Sequence, residues 1–328
     1  MSKNEATNSY KSFSTIAPYF GFKVSDYWHV DYKIISESSF NYYWDLKEKY
    51  TYFEGDYDSR GLPLYLGADS KKHYSVIFLG HYALGAFQTF LETSCNKAKA
   101  DFLLVCDFLV ESTCKYKSCD GIWVNSYPMK LYGLSNNWAS GLAQAKGISC
   151  LVRAFHLTKE RKYLESAIVA SKSFFISVAD GGILAEDKGM DIFEEYPTEK
   201  PSMVLNGHMF GIFALNDLLK EELKEHLEVE FRSSIEAKFE KSIIQLEKNI
   251  ERWDTTRWSK YDNWSEHKHV ASLFYHDLHI KQLFILFKIT DNPKFLYKAL
   301  EWESKRSSFI NRMFALMSKV YFRVCGRL

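Results

Sequence analysis

Two stretches decide the fold: Phe155-His156-Leu157-Thr158-Lys159-Glu160-Arg161-Lys162-Tyr163-Leu164 and Phe287-Lys288-Ile289-Thr290-Asp291-Asn292-Pro293-Lys294-Phe295-Leu296. Each ends an apolar run of helical period and crosses a short polar turn. Each then opens a second helix with an aromatic–Leu pair and an Ala one turn on, Ala167 and Ala299. So short a connection makes its two helices antiparallel neighbours. Outward from these hairpins, apolar residues recur at i, i+3 and i+4 through 76–91, 98–110, 139–157, 163–178, 203–219, 231–250, 278–289 and 295–314. The first helices of successive pairs begin roughly 60–70 residues apart, a period that marks a helical repeat.

The expected fold is therefore mainly α. It is an open solenoid or, as favoured here, an incomplete α/α toroid of about four hairpins over 71–328. A small β-rich arm precedes it over 1–70. The arm rests on the aromatic, β-branched segments Tyr27-Trp28-His29-Val30-Asp31-Tyr32 and Tyr50-Thr51-Tyr52-Phe53-Glu54, with turn signals at Gly55-Asp56, Asp58-Ser59 and Arg60-Gly61-Leu62-Pro63. In a toroid the inner helices line a cleft. Here they carry His81-Tyr82, Trp138 with Gln144, Asn206 with His208, and Tyr275 with His279. For any one of these positions alone, a satisfied polar residue at a helix end is the commoner outcome.

Lys plus Arg number 42 against 41 Asp plus Glu, so no basic field argues for nucleic acid. The aromatic share of 16%, with 21 Tyr and 8 Trp, suits sugar rings as well as it suits a core. Cys95, Cys106, Cys114, Cys119, Cys150 and Cys325 form no CxxC pair, and the Cys114–Cys119 spacing fits neither a zinc ribbon nor a finger. Met1-Ser2-Lys3-Asn4 opens a polar N-terminus without an apolar h-region, and no apolar run approaches a membrane span. Free thiols in a reducing cytoplasm are the expectation. No phosphate-binding Gly loop or Ser–His–Asp order is present, and no metal site is expected: His267 and His269 are too close in sequence to give more than a weak metal hint.

The chemistry-bearing string is Glu194-Glu195-Tyr196-Pro197, followed by Val204-Leu205-Asn206-Gly207 and by Tyr275-His276 with His279-Ile280. Tyr and Glu are groups that move a proton on and off carbon. Taken singly, each piece has a structural explanation. Pro197 ends an extended segment, Glu194-Glu195 forms a solvated corner, and Tyr261 packs among Trp253, Trp258 and Trp264.

Further pieces appear in order: Gly61-Leu62-Pro63-Leu64, Tyr82-Ala83-Leu84-Gly85, Trp138-Ala139-Ser140-Gly141-Leu142-Ala143-Gln144, Leu151-Val152-Arg153-Ala154, Tyr261-Asp262 and Gln282-Leu283. Together, over 61–286, the set resembles the C-terminal region of the D-glucuronyl C5-epimerases, which convert glucuronic to iduronic residues in heparin-type polysaccharides. The resemblance implies a cofactor-independent inversion at C5 of a uronic acid within a glucuronate-containing polysaccharide or oligosaccharide. The family's catalytic groups fall on Glu195, Tyr196, Tyr261 and Tyr275. Tyr196 and either Tyr275 or Tyr261 would transfer the proton, while Glu195 orients a Tyr or a sugar hydroxyl. Asn206 and His279 would position the uronate, with Trp138, Gln144, Tyr82 and His276 completing the substrate-binding set.

One departure matters. The family usually places an Arg three residues after the Tyr of Tyr-Asp, suited to a uronate carboxylate, and here that position is Trp264. Arg257, Lys260, His276 and Lys281 are nearby, but an ammonium or imidazole does not reproduce a bidentate guanidinium. Substrate identity stays open on this account. Two competing readings follow: a polysaccharide lyase, which starts with the same proton abstraction, and a non-catalytic glycan-binding protein.

The C-terminal stretch 305–328 mixes Arg306, Arg312, Lys319, Arg323 and Arg327 with Phe309, Ile310, Phe314, Leu316, Val320 and Phe322. Such a tail can make peripheral contact with an anionic membrane. The favoured reading is a final helix closing the bundle. The sequence is silent on oligomeric state and leaves a homodimer open.

Overall fold

The computed structural model describes residues 16–22, 33–34 and 40–325, and the aromatic segment 27–32 of the expected arm lies outside them. Among the described residues the chain is mainly helical. The helices are α1 (Lys47–Thr51), α2 (Val76–Thr93), α3 (Asn96–Glu111), α4 (Gly141–Thr158) and α5 (Arg161–Ser171). They continue with α6 (Leu205–Leu218), α7 (Val229–Asn249), α8 (Leu273–Thr290), α9 (Pro293–Ser307) and α10 (Phe309–Cys325). Strands occur as short antiparallel pairs: β1 (Tyr65–Leu66) with β2 (Lys72–His73), and β3 (Cys114–Tyr116) with β4 (Cys119–Ile122). The other pairs are β5 (Val124–Asn125) with β6 (Trp138–Ala139), and β7 (Leu184–Asp187) with β8 (Met190–Phe193). Two compact units result, Lys33–Asn249 and Met1–Tyr32 with Ile250–Leu328.

The α4–α5 and α8–α9 connections share one geometry, and α2–α3 supplies a third copy. Ser94, Lys159 and Asp291 each adopt a left-handed conformation, with φ of 55°, 62° and 51°. Their amides donate to the carbonyls of Phe90, Phe155 and Phe287 at 2.8 Å. The Thr just before each donates its hydroxyl one turn back: Thr93 to Thr89 O, Thr158 to Ala154 O and Thr290 to Leu286 O. Otherwise orphaned terminal carbonyls are thereby satisfied, and the left-handed residue turns the chain out of the helix. Asn292 then caps α9 by accepting from Lys294 N at 3.0 Å, with Pro293 in the first turn. The α6–α7 connection is different: a 3₁₀ segment, Glu221–His226, intervenes.

In Lys33–Asn249, α4 is central. Every residue from Gly141 to Phe155 is buried, and α6 is buried almost throughout; helices apolar on all sides belong inside. Several of their interior polar groups pair with one another, although Arg153 Nε and His208 Nε2 have no hydrogen-bond partner among the described residues. The Arg153 guanidinium meets Asp217 at 2.8 and 3.1 Å, and Ser149 Oγ donates to the same carboxylate at 2.6 Å. Tyr43 OH lies 3.0 Å from Asp217 Oδ1, which ties residues 41–43 to α4 and α6. Burial pushes the Asp217 carboxyl up, but Arg153 outweighs it and holds the group below the usual carboxylate value. Such a buried pair is tolerated because both carboxylate oxygens and both terminal guanidinium nitrogens are hydrogen-bonded.

Several boundaries differ from expectation. Residues 50–51, expected extended, close the short helix α1, and the described arm strands are confined to 65–66 and 72–73. The run 163–178 leaves helix at Ser171, becomes 3₁₀ over Lys172–Phe174 and passes through Gly181-Gly182 into the β7–β8 hairpin. The run 295–314 is two helices, because Ser308 takes extended backbone (φ −71°, ψ 123°). α10 docks through Arg312, which donates to Tyr19 O at 2.9 Å, and through Phe309 beside Phe20. Ile310, Met317, Tyr321 and Val324 on it are exposed, so it only partly closes its unit. All six cysteines are free, and no described helix is long and apolar enough to cross a membrane.

Candidate functional site

The Glu-Glu-Tyr-Pro string leaves β8 and is held from both sides within Lys33–Asn249. Glu194, fully buried, accepts from Ser202 N (2.8 Å), Ser202 Oγ and Met203 N (2.9 Å). Those bonds hold Met203 at φ 54° immediately before α6. The Glu194 carbonyl accepts from Gly141 N at 2.7 Å, fixing the start of α4. The two carboxylates are therefore no solvated corner. Glu194 is a positioning residue for the starts of both central helices.

Glu195, 3% exposed, accepts from Asn206 Nδ2 at 3.2 Å. Tyr196 is half-buried, with its ring stacked on Tyr132 (4.1 Å between centroids, 14°) and tilted against Trp138 at 5.7 Å. Trp138 is anchored in turn, its indole N–H donating to Tyr127 O at 2.7 Å. The Tyr127 hydroxyl lies 3.0 Å from Ser75 Oγ. Burial pushes the Tyr127 phenol well up, with nearby Tyr65 and Glu195 adding to the effect, so it stays neutral. Glu195, Tyr196, Asn206 and Trp138 thus come together as an acid/base and aromatic cluster.

Two expected members are engaged with other partners. Gln144 is fully buried, and its amide is engaged with the main chain of Trp123, accepting from N at 3.1 Å and donating to O at 2.8 Å. It braces the backbone between β4 and β5. Tyr82 sits among Tyr50, Phe53 and Tyr57, its hydroxyl 3.4 Å from that of Tyr57, and burial raises its pKa. Tyr127, Tyr132 and Ser202 were missed by sequence reasoning. Only the aromatic excess hinted at the first two.

In the other unit, Tyr261 and Tyr275 are neighbours, 4.6 Å between ring centroids. Tyr275 sits in the first turn of α8, where Ser272 caps its amide, and Tyr261 N donates to His269 O at 2.8 Å. Beside them, Asp262 Oδ2 lies 3.2 Å from His267 Nε2 and 3.0 Å from His269 Nδ1. Spacing in sequence did not suggest this cluster, because the carboxylate completing it comes from the far side of the loop.

His276 and His279 are fully buried. His276 accepts from Ser259 N at Nδ1 (3.3 Å) and donates from Nε2 to Trp302 O (3.1 Å), while stacking on Trp258. Burial lowers its pKa to about 3. Both its nitrogens are engaged, so it serves as a brace. His279 Nδ1 lies 3.0 Å from Ser259 Oγ, and its Nε2 has no hydrogen-bond partner among the described residues. Lys260 is likewise occupied, donating to Arg252 O and Asn263 Oδ1.

Comparison with known proteins bears on this arrangement. A family model described as D-glucuronyl C5-epimerase C-terminus matches residues 119–304. The chain is 46% identical over 90 residues to a D-glucuronyl C5-epimerase of Caenorhabditis elegans, covering 27% of this chain and 15% of that protein. It is 26% identical over 185 residues to an uncharacterized protein of Methanocaldococcus jannaschii, covering 55% of this chain and 56% of that one. These matches thus span little more than half, or less, of the curated relatives' lengths. Among solved structures, cellobiose 2-epimerase from Spirochaeta thermophila DSM 6192 superposes with a TM-score of 0.51 at 9% identity, covering 76% of this chain and 63% of that chain. At that identity the likeness shows the fold, which is mainly α and of the α/α-toroid class that the hairpins predict.

Proposed function

The chain belongs to the D-glucuronyl C5-epimerase family, and from that premise we propose that it inverts C5 of D-glucuronic residues in a glycan to give L-iduronic residues. The single observation that supports this reading best is the Glu195–Tyr196 pair, which combines a buried carboxylate fixed by Asn206 with a phenol held between Tyr132 and Trp138.

The C5 proton lies α to a carboxylate and is very weakly acidic. One group removes it, the electron pair passes into an enolate-like carboxylate, and a second group returns a proton to the opposite ring face. Nothing is oxidised, and the C4–O bond stays intact. A phenol can do either job, since it is an acid when neutral and a strong base when ionised. Tyr196 is one of the two groups, and Tyr261 or Tyr275 is the other. Glu195 orients Tyr196 or a sugar hydroxyl, and the buried Tyr132 and Trp138 rings hold the Tyr196 ring in place.

The test is proton NMR of a glucuronate polymer such as heparosan incubated with the protein in deuterated water. Loss of the H5 signal with new iduronate resonances is the expected result. An unsaturated-uronate signal would make the protein a lyase. Binding without exchange on several uronate polymers would make it a glycan-binding protein.

A further inference from the structure

We propose that Asp262, His267 and His269 form a binding site for a first-row divalent cation of the zinc type. Their donor atoms, Asp262 Oδ2, His267 Nε2 and His269 Nδ1, all lie within 4.8 Å of one another. The two closest separations, 3.0 and 3.2 Å, compare with the roughly 3.3 Å edge of a tetrahedron built on zinc–nitrogen bonds of about 2.0–2.1 Å. The third separation, between the two imidazole nitrogens, is up to 4.8 Å, so one imidazole tilts inward to close the set around a cation.

The loop that carries the donors is held in place before any cation arrives. The loop ends are tied by Tyr261 N to His269 O (2.8 Å) and by the antiparallel bridge between Lys260 and Val270. Both imidazoles are braced by Phe322 of α10: His269 stacks on it at 4.2 Å and 6°, and His267 meets it edge-on at 4.9 Å. Trp264 meets His267 edge-on at 5.0 Å, and its amide donates to Asp262 Oδ1. Asp262 is buried while the two histidines are partly open, so a cation has both a fixed carboxylate and a way in.

The donor set selects the ion. Two imidazoles with one carboxylate suit zinc and its neighbours and disfavour calcium and magnesium, which want oxygen ligands. Three protein donors also leave a coordination position for an outside oxygen. If the proposed function holds, that oxygen belongs to the uronate carboxylate, whose charge must be neutralised before C5 gives up its proton and to which the Trp264 indole contributes no cation. This clause alone rests on the epimerase reading.

The experiment is calorimetric titration of the EDTA-treated protein with zinc, beside a His267→Gln/His269→Gln variant of matching circular dichroism. Exposed Cys95 and Cys325 are replaced by Ser in a control, and cobalt(II) absorption gives a second readout. One equivalent of zinc is expected, lost in the histidine variant, which keeps only one of the three donors, and unchanged in the cysteine control. Cobalt should show weak visible bands and no thiolate charge transfer. Equal zinc binding by wild type and histidine variant, loss in the cysteine control, or a thiolate spectrum would overturn the site. No sugar is present, so the result is independent of the epimerase reading. Binding of a glucuronate oligosaccharide should then tighten with zinc, and equal binding with and without it would mean that the cation does not take the uronate carboxylate.

Discussion

Gly207 lies directly against Glu195: a Cβ built on the glycine would stand 2.7 Å from Glu195 Oε2 and 2.8 Å from its Cβ. A glycine inside a helix costs about 1 kcal/mol relative to alanine, so its presence in the first turn of α6 needs a reason. The reason is space, because this close approach lets Asn206, one residue earlier, reach the Glu195 carboxylate.

Gly207→Ala should therefore separate stability from activity. The gain in helix propensity partly offsets an overpacking cost of about 1–3 kcal/mol, so the urea midpoint should shift modestly. Glu195 must move, and turnover should fall on the order of 100-fold, as small displacements of reacting groups do. Unchanged H5 exchange in the variant would remove Glu195 from the mechanism.

Replacing Tyr196 by Phe keeps the ring between Tyr132 and Trp138 and deletes only the hydroxyl. Epimerisation should fall by about 10²–10⁴-fold, with oligosaccharide binding retained. Of Tyr261→Phe and Tyr275→Phe, one should match that loss and the other should be mild. NMR of the separate epimers in deuterated water assigns the faces: a variant that still exchanges H5 of one epimer has kept the base on that side. Near wild-type exchange in Tyr196→Phe would refute its role.

The hairpins were legible because helical period extends over many residues and two connectors repeat in composition. The third connector was not: it shares Phe90 and Thr93 with the other two, but Ser94 replaces their charged turn residue and Ala98-Lys99 stands where Tyr163-Leu164 and Phe295-Leu296 open the next helix. The β3–β4 and β7–β8 hairpins escaped notice because strands of three or four residues cannot display alternation. The break at Ser308 carries no Gly or Pro, and the apolar pattern runs through it. At the site, Glu195 and Tyr196 could be picked out by residue type. The function of Glu194 depends on Ser202 and Met203, and the Tyr196 slot depends on Tyr132, contacts that only the fold creates. Gln144 and His276 lie on the expected inner helices, but the main chain has already engaged them.

Buried histidines make the fold acid-sensitive: burial holds His81 and His279 well below the ordinary value, and two more follow the same rule. Burial pushes His208 and His276 down to about 3 from an ordinary 6.5, so both stay neutral in the folded protein while the unfolded chain takes up protons below 6.5. Their contribution is complete above that value and is lost as pH falls toward 3, at about 1.4 kcal/mol per pH unit for each. Urea midpoints should be flat from pH 8 to 7 and fall steadily from 6 to 4. His208 accepts Phe193 N at Nδ1 (3.1 Å), so His208→Gln should lower stability at pH 7 but flatten the acid slope. An unchanged slope would place the sensitivity elsewhere.

The three matching connectors predict a common response to glycine. Ser94, Lys159 and Asp291 each hold a left-handed conformation that costs an L-residue about 1–2 kcal/mol and a glycine almost nothing. Against the gain stands the extra freedom of glycine in the unfolded chain, about 0.4–1 kcal/mol. Lys159→Gly should stabilise most, less a small loss from the Lys159 ammonium over the Phe155 ring. Asp291→Gly should stabilise least, because Asp tolerates this conformation better than Lys or Ser. The measurement is the urea midpoint of each single variant. Destabilisation at two of the three would mean that side chains, rather than the shared backbone turn and its Thr hydroxyl, hold the hairpins together.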